Sequence, residues 1–260
     1  MASYIENLFN LKGKVAVITG GGGYLCSEMA RGLSKAGCKV AVMDIRLSKA
    51  DVVVKEIMEE IGVEAIALKV DATDKTSFQN SLLEVLRRFG KVDILINGAG
   101  INSPTPFLEI EIDEFDKVMS SQITSTLLGC QIFGKHMLDQ GAGSIINISS
   151  ASAGPPLSKA FSYSIAKAGI LNLTQNLGRE WGIKGVRVNA IRPGFFPTAW
   201  NQKNFITEER EKAILGHTPM QRYGEVPELV GGVVYLASDA ASFVTGSELT
   251  IDGGFSAMTI

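Results

Sequence analysis

Short apolar runs rich in β-branched residues alternate along the chain with longer stretches in which apolar positions recur at helical spacing. The runs "KVAVIT" (residues 14–19), "KVAVMD" (39–44), "EAIALKVD" (64–71), "VDILING" (92–98), "GSIINISS" (143–150), "VRVNAIRPG" (186–194) and "SELTIDGG" (247–254) predict strands. Most are continuously apolar rather than alternating, as in strands covered on both faces. Helical patterns occupy 24–37, 48–62, 75–89, 111–138, 160–181 and 227–238, with Gly37 and Gly62 closing the first two. Strand and helix in alternation predict an α/β fold: a Rossmann-type, doubly wound parallel sheet of about seven strands with helices on both faces. Its ligand crevice is expected at the carboxyl ends of the strands. No linker, repeat or low-complexity segment interrupts the pattern, so residues 1–260 read as one domain. Residues 197–217 are the exception. They mix polar and aromatic positions and read as a substrate lid.

Composition narrows the function classes. With 45% hydrophobic and 20% charged residues, the 260-residue chain is globular in type. The net charge of −2 offers no general attraction to nucleic acid or an anionic membrane. Cys26, Cys38 and Cys130 are scattered, which suggests neither a disulfide framework nor a zinc site, and His136 and His217 lack metal-ligand spacing. No apolar run approaches the roughly 20 residues that span a bilayer. The opening "MASYIENLFNLKGK" has no basic segment followed by an apolar core. A soluble cytoplasmic protein without a metal site is the expectation.

The first strand runs into four glycines, Gly20 to Gly23, and then a helix. A glycine turn at a helix N-terminus suits a pyrophosphate, because the backbone can approach closely and free N–H groups point outward. The spacing T-G-x-x-x-G-x-G would put glycine at positions 24 and 26, where this chain has Tyr24 and Cys26. Alone, such a loop is weak evidence. Asp44, ending the second strand 24 residues after Gly20, strengthens it. An acid there accepts hydrogen bonds from an adenosine ribose and repels a 2′-phosphate, favouring NAD over NADP. Arg46 nearby could soften the preference, and Asp44 could instead merely cap the turn.

"YSIAK" puts Tyr163 and Lys167 four apart, on one face of a helix. Ser150 precedes them by thirteen residues, at the end of the fifth strand. A hydroxyl, a phenol and an ammonium converging beside a nicotinamide could exchange the proton of an alcohol as hydride moves. A nearby ammonium and the positive ring of oxidised nicotinamide are both expected to lower the Tyr163 pKa.

The fragments "TGGGGYLC", "LINGAG", "INISS" with "YSIAK", "NAIRPGFFPT" and "LASDAASFVTGSELTIDGGFSA" occur in order. From about residue 11 to 258, the chain resembles the short-chain dehydrogenase/reductase family. The resemblance implies a nicotinamide cofactor and, usually, a homotetramer. It also implies catalytic roles for Ser150, Tyr163 and Lys167. Cofactor contacts implied in the same way are Gly20, Gly22, Gly23, Tyr24, Leu25, Asp44, Asp71, Ala72, Asn97, Ala99, Gly100, Pro193, Gly194, Phe196 and Thr198, besides Tyr163 and Lys167. Gln122 stands where the family has an asparagine that breaks a helix and holds a water leading to the lysine. Arg192 stands where the family has a small residue, and is read either as an anion anchor or as a surface or interface arginine pairing with a neighbouring acid. Longer fragments, including "LINGAGINSP" and "HTPMQRYGEVPEL", are similar to a branch of mannonate oxidoreductases (fructuronate reductases) and sugar-acid or polyol dehydrogenases. Asn102, Ser103, Ser152, Trp200 and Asn201 are the accompanying substrate candidates, their polarity suiting a hydroxylated molecule. A 3-oxoacyl-carrier-protein reductase and a non-catalytic NAD(H)-binding regulator are the alternatives. The apolar, glycine-bearing C-terminal segment is expected to pack against another subunit.

Overall fold

The computed structural model describes residues 3–155, 157–198, 202 and 206–259. Seven strands form one parallel sheet: β1 Val15–Thr19, β2 Lys39–Asp44, β3 Ala65–Lys69, β4 Ile94–Asn97, β5 Gly143–Ile148, β6 Val186–Pro193 and β7 Glu248–Ile251. Their spatial order is β3-β2-β1-β4-β5-β6-β7. Strand β1 pairs with β2 on one side and β4 on the other, so the order of connection reverses there. Such a switch point opens a crevice beyond the strand ends.

The helices are α1 Tyr4–Leu8, α2 Tyr24–Lys35, α3 Leu47–Glu56, α4 Lys75–Phe89, α5 Ile112–Met119, α6 Ser125–Gln140, α7 Phe161–Trp181, α8 Glu208–Gly216 and α9 Val230–Ala237. Successive strand residues point to opposite faces, and both faces are covered. Ala16, Ile18, Val40, Val42, Ile94 and Ile96 pack with Met29 and Leu33 of α2 and Val233 and Leu236 of α9. Val15, Val17, Ala41, Met43 and Leu95 pack the other way, with Phe78 of α4, Phe133 of α6 and Trp181 of α7. Every residue of β1 is therefore buried, which explains why its sequence lacks alternation.

Two elements differ from the sequence pattern. The helix expected over 111–138 is interrupted by a π-turn, Ser120–Thr124. The local sequence "SSQITST" supplies the cause. Ser125 Oγ donates to Ser121 O at 2.5 Å and Thr126 Oγ1 to Gln122 O at 2.7 Å, competing for the carbonyls the helix would use. The second difference is α8, inside the segment read as an irregular lid. Thr207 caps it by accepting from Arg210 N, and Glu208, Glu209 and Glu211 in its first turn complement the helix dipole. Among the described residues, no helix is long and apolar enough to cross a membrane.

Candidate active site

Strands β3 to β7 end one to three residues before their apolar runs do, and chemistry-bearing residues lie in those margins. Asp71, Gly98, Ser150 and Gly194 all fall just beyond a strand end, where the backbone leaves the ladder. At the β1–β4 switch point Gly98, Ser150 and Gly194 border a cleft of about 650 Å³.

On one side the loop after β1 is built to leave a cradle. Gly20 has φ +64°, and a Cβ there would lie 2.9 Å from Ala99 Cα. At Gly22 a Cβ would lie 2.6 Å from Lys49 Cβ and 2.9 Å from Asp44 Oδ2. Gly21 N donates to Met43 O at 2.9 Å, holding the loop to β2. Gly23 caps α2 without any side-chain hydrogen bond, so the helix N-terminus is left for another acceptor. Thr19 Oγ1 accepts from Gly98 N (3.1 Å) and Ala99 N (3.3 Å), locking the β1 and β4 loops together. Cys26, in place of the third glycine, is buried with its Sγ against Gly98, and a Cβ at Gly98 would overlap it. Burial pushes the Cys26 thiol up to about 12, so it stays neutral.

Asp44 is buried at the end of β2. Its carboxylate accepts from Gly22 N at 3.2 Å and Arg46 N at 2.9 Å, while Arg46 Nε stands 3.9 Å away. The acid therefore does cap the turn, and by the same contacts is fixed at the edge of the glycine loop. Asp71 and Ala72 follow β3 on the same rim. Hydrogen bonds from the Thr73 hydroxyl and backbone N–H hold the Asp71 carboxyl below the usual range.

On the other side of the cleft, Ser150, Tyr163 and Lys167 come together. The Ser150 hydroxyl accepts from Ser152 N at 3.2 Å and from Ser152 Oγ at 3.1 Å. It also faces the Tyr163 phenol and favours its ionised form. Lys167 Nζ donates to Ile148 O at 2.6 Å and lies 5.3 Å from the centre of the Tyr163 ring. The lowering expected from the Lys167 ammonium does not arise within the protein itself. Burial raises the phenol, and the Ser150 hydroxyl only opposes this. Burial also lowers Lys167 to about 8. With its ammonium directed at the Ile148 carbonyl, Lys167 does not offset the desolvation of the phenol.

Gln122 is buried in the π-turn and lines the same cleft. Its Nε2 donates to Ile101 O at 2.9 Å, while its Oε1 has no partner among the described residues. The extra methylene relative to asparagine carries the amide under Gly100, where a Cβ would strike it.

Gly20, Gly23, Tyr24, Leu25, Gly100, Asn102, Gln122, Ser150, Ser152, Tyr163, Lys167, Gly194, Phe196 and Thr198 all border one cleft. Gly194 is braced by its N–H donating to Ile251 O at 2.9 Å, directly after Pro193, which ends β6. Three other residues are placed differently. The Asn97 side chain turns away into the interior, donating to Asn147 Oδ1 at 2.9 Å and Cys130 Sγ at 3.4 Å, because β4 alternates and this position faces α6. Ser103 is tied to α5, its hydroxyl donating to Glu114 Oε1 at 2.5 Å. Arg192 pairs with Glu248 across β6 and β7 at 2.6 Å, both largely buried, so the structural ion pair prevails over the anion anchor. Trp200 and Asn201 lie outside the described residues.

Cleft-lining residues the sequence reading missed are Phe195, Ser158, Lys159, Ile206, Arg210 and Ile214. The last three recur every four residues, a helical face that the segment's polar composition obscured.

A family model described as enoyl-(acyl carrier protein) reductase matches residues 25–256. The chain belongs to the short-chain dehydrogenase/reductase family, as enzymes that act on alcohol groups. It is 41% identical to an uncharacterized oxidoreductase, UxuB, of Bacillus subtilis (strain 168), over 95% of this chain and 96% of that one. A candidate D-mannonate oxidoreductase of Haemophilus influenza, solved with bound NAD, superposes with a TM-score of 0.91 at 36% identity, covering 98% of this chain and 99% of the other. A gluconate 5-dehydrogenase from Burkholderia cenocepacia J2315, in complex with NADP and tartrate, gives 0.93 at 30% identity, covering 98% and 100%.

Proposed function

We propose that the protein is an NAD(H)-dependent oxidoreductase that interconverts a secondary alcohol and a ketone on a sugar acid, sugar or polyol. The observation that carries this reading is the meeting of Ser150, Tyr163 and Lys167 on the wall of the cleft that the glycine loop opens. The loop fits a dinucleotide: Gly20 and Gly22 let it fold tightly against Ala99 and against Asp44 and Lys49, and the α2 N-terminus lacks a side-chain cap. The nicotinamide, when bound, supplies the hydride acceptor or donor. Asp44 supports NAD over NADP, since its buried carboxylate would repel a 2′-phosphate.

In this reading Tyr163 exchanges the proton of the reacting oxygen, and Ser150 holds that oxygen, itself oriented by Ser152. Lys167, anchored on the Ile148 carbonyl, positions the cofactor ribose. Gln122 holds the Ile101 carbonyl and closes the floor beneath Gly100. With its pKa raised by burial, Tyr163 is a protonated donor near neutral pH, which suits ketone reduction. Alcohol oxidation then speeds up as pH rises. Asn102 and Ser152 suit a hydroxylated substrate better than an acyl chain. The family resemblance and the apolar C-terminal segment support a homotetramer, and the composition a cytoplasmic setting.

The test is a screen of purified protein with NAD and NADP against sugar acids, polyols and a 3-oxoacyl thioester, followed by absorbance of the reduced nicotinamide. Activity on a sugar acid or polyol that falls by at least about a hundredfold in Tyr163→Phe, with NADH binding retained, supports the reading. Activity with the thioester and NADP alone overturns it. Tight NADH binding with no turnover favours the regulatory alternative.

A further inference from the structure

The cleft carries two cations that the proposed chemistry does not use. Arg210 projects from the first turn of α8 on the face that Ile214 also presents to the cleft, and Ile206, just before the helix, borders the same space. Lys159 borders the same space from the loop before α7. Its backbone has φ +59°, a left-handed conformation that a side-chain-bearing residue adopts only where its surroundings hold it. Arg210 donates from Nη1 to Ser158 Oγ at 2.8 Å and from Nη2 to Ser158 O at 3.3 Å. Those partners are neutral. Among the described residues, neither Arg210 nor Lys159 has a carboxylate within ion-pair distance, whereas Arg192 has Glu248 at 2.6 Å.

We infer that Arg210, with Lys159, is the specificity-determining anchor for a substrate carboxylate. This rests on the reading of the cleft as a dehydrogenase site and narrows its substrate class to hydroxylated carboxylic acids. A guanidinium held by a neutral serine has unspent electrostatic capacity, and its fork matches a carboxylate bidentately. The neighbouring groups suit the remainder of such a molecule: Asn102 and Ser152 can meet hydroxyls, while Ile206, Ile214 and Leu157 line the walls. Because Ser158 lies five residues before Tyr163, Arg210 also joins the lid helix to the segment that delivers the catalytic phenol. A carboxylate bound there would be registered against both.

Gluconate and sorbitol provide the test, since they differ at one end only, carboxylate against CH2OH. Their dissociation constants are measured by calorimetry on the NADH-loaded protein, wild type and variants, so the readout does not depend on turnover. The wild type should prefer gluconate. Arg210→Ala should reduce the gluconate-to-sorbitol affinity ratio by about tenfold or more, the range expected for a charge-assisted hydrogen bond, and Arg210→Lys should restore part of it. Lys159→Ala should reduce the ratio less, as an exposed charge. An Arg210→Ala variant that weakens both ligands equally would make Arg210 only a lid latch and overturn the inference. A wild type that binds sorbitol as tightly as gluconate would also overturn it, while leaving the dehydrogenase reading intact. Conversely, an Arg210-dependent gluconate preference in a protein with no turnover would uphold the anchor and sink the dehydrogenase reading.

Discussion

Replacing Gly98 by alanine tests how Cys26 came to occupy a glycine position in the nucleotide loop. The added methyl would overlap Cys26 Sγ, with Thr19 O at 3.2 Å and Ile148 Cγ1 at 3.5 Å. Favourable carbon contacts lie near 3.5–4.0 Å, so the carbonyl and Ile148 need to move by a few tenths of an ångström at most, whereas the sulfur must move by more than about 1 Å. It has nowhere to go, because Cys26 is 5% exposed and its helix packs on the sheet. Overpacking of this kind costs about 1–3 kcal/mol. Cys26→Ala alone removes one buried sulfur and should cost about 1 kcal/mol. In the double variant Gly98→Ala/Cys26→Ala, the new methyl takes the space the sulfur left. The two changes should then couple favourably, by about 1–2 kcal/mol relative to their sum. Urea unfolding of the four proteins gives the cycle, with equal m-values required for the comparison. If Gly98→Ala costs the same with and without the sulfur, the account of Cys26 as the filler of a gap that Gly98 leaves is wrong.

Three further outcomes are expected. Arg192→Ala should destabilise the protein by about 3–5 kcal/mol in urea, because Glu248 is left buried without its partner, and Arg192→Met/Glu248→Leu should recover most of the loss. The gluconate-to-sorbitol ratio should not follow Arg192. Stability should fall as pH rises above about 9. Cys26, Cys38 and Cys130 are raised to about 12 in the folded protein, so the unfolded chain loses thiol protons that the folded one keeps. Lys167, lowered to about 8, acts oppositely between about 8 and 10.5, while Tyr163, raised by burial, joins the cysteines at the upper end of the range. Urea midpoints at pH 8 and 10.5 measure the balance, and a triple cysteine-to-alanine variant should remove most of the decline below about pH 10, where Tyr163 contributes little. Asp44→Asn should shift the NAD-to-NADP preference toward NADP by at least about tenfold in kcat/KM, since it removes the repelling charge while keeping an acceptor for Gly22 N.

The strands were legible because burial on both faces writes an uninterrupted apolar run, and the residues just beyond those runs were legible as the chemical ones. Ser150, Tyr163 and Lys167 could be grouped because a strand end and a helical i,i+4 spacing each constrain direction. Asn97 marks where this logic stops. Its place at the end of β4 was clear, but the face its side chain takes depends on the register of the sheet, which sends it to Asn147 and Cys130. Ser103 and Arg192 stop it differently. Both are polar residues near the cleft in sequence, and each is engaged by an acid, Glu114 or Glu248, that lies many residues away.

Local periodicity and turn preferences are enough to set the order of elements, the doubly covered parallel sheet and the residue types available for hydride chemistry. Tertiary structure alone decided the state of the ionisable groups. Desolvation by distant segments raises Tyr163 and lowers Lys167, and no spacing along the chain records it. It also decided which arginine remains available. Arg192 meets Glu248 only because β6 and β7 are neighbours, while Arg210 reaches the cleft because α8 packs its apolar face there. Charge is written in the sequence, but whether a charge is already neutralised depends on which strand or helix the fold sets beside it.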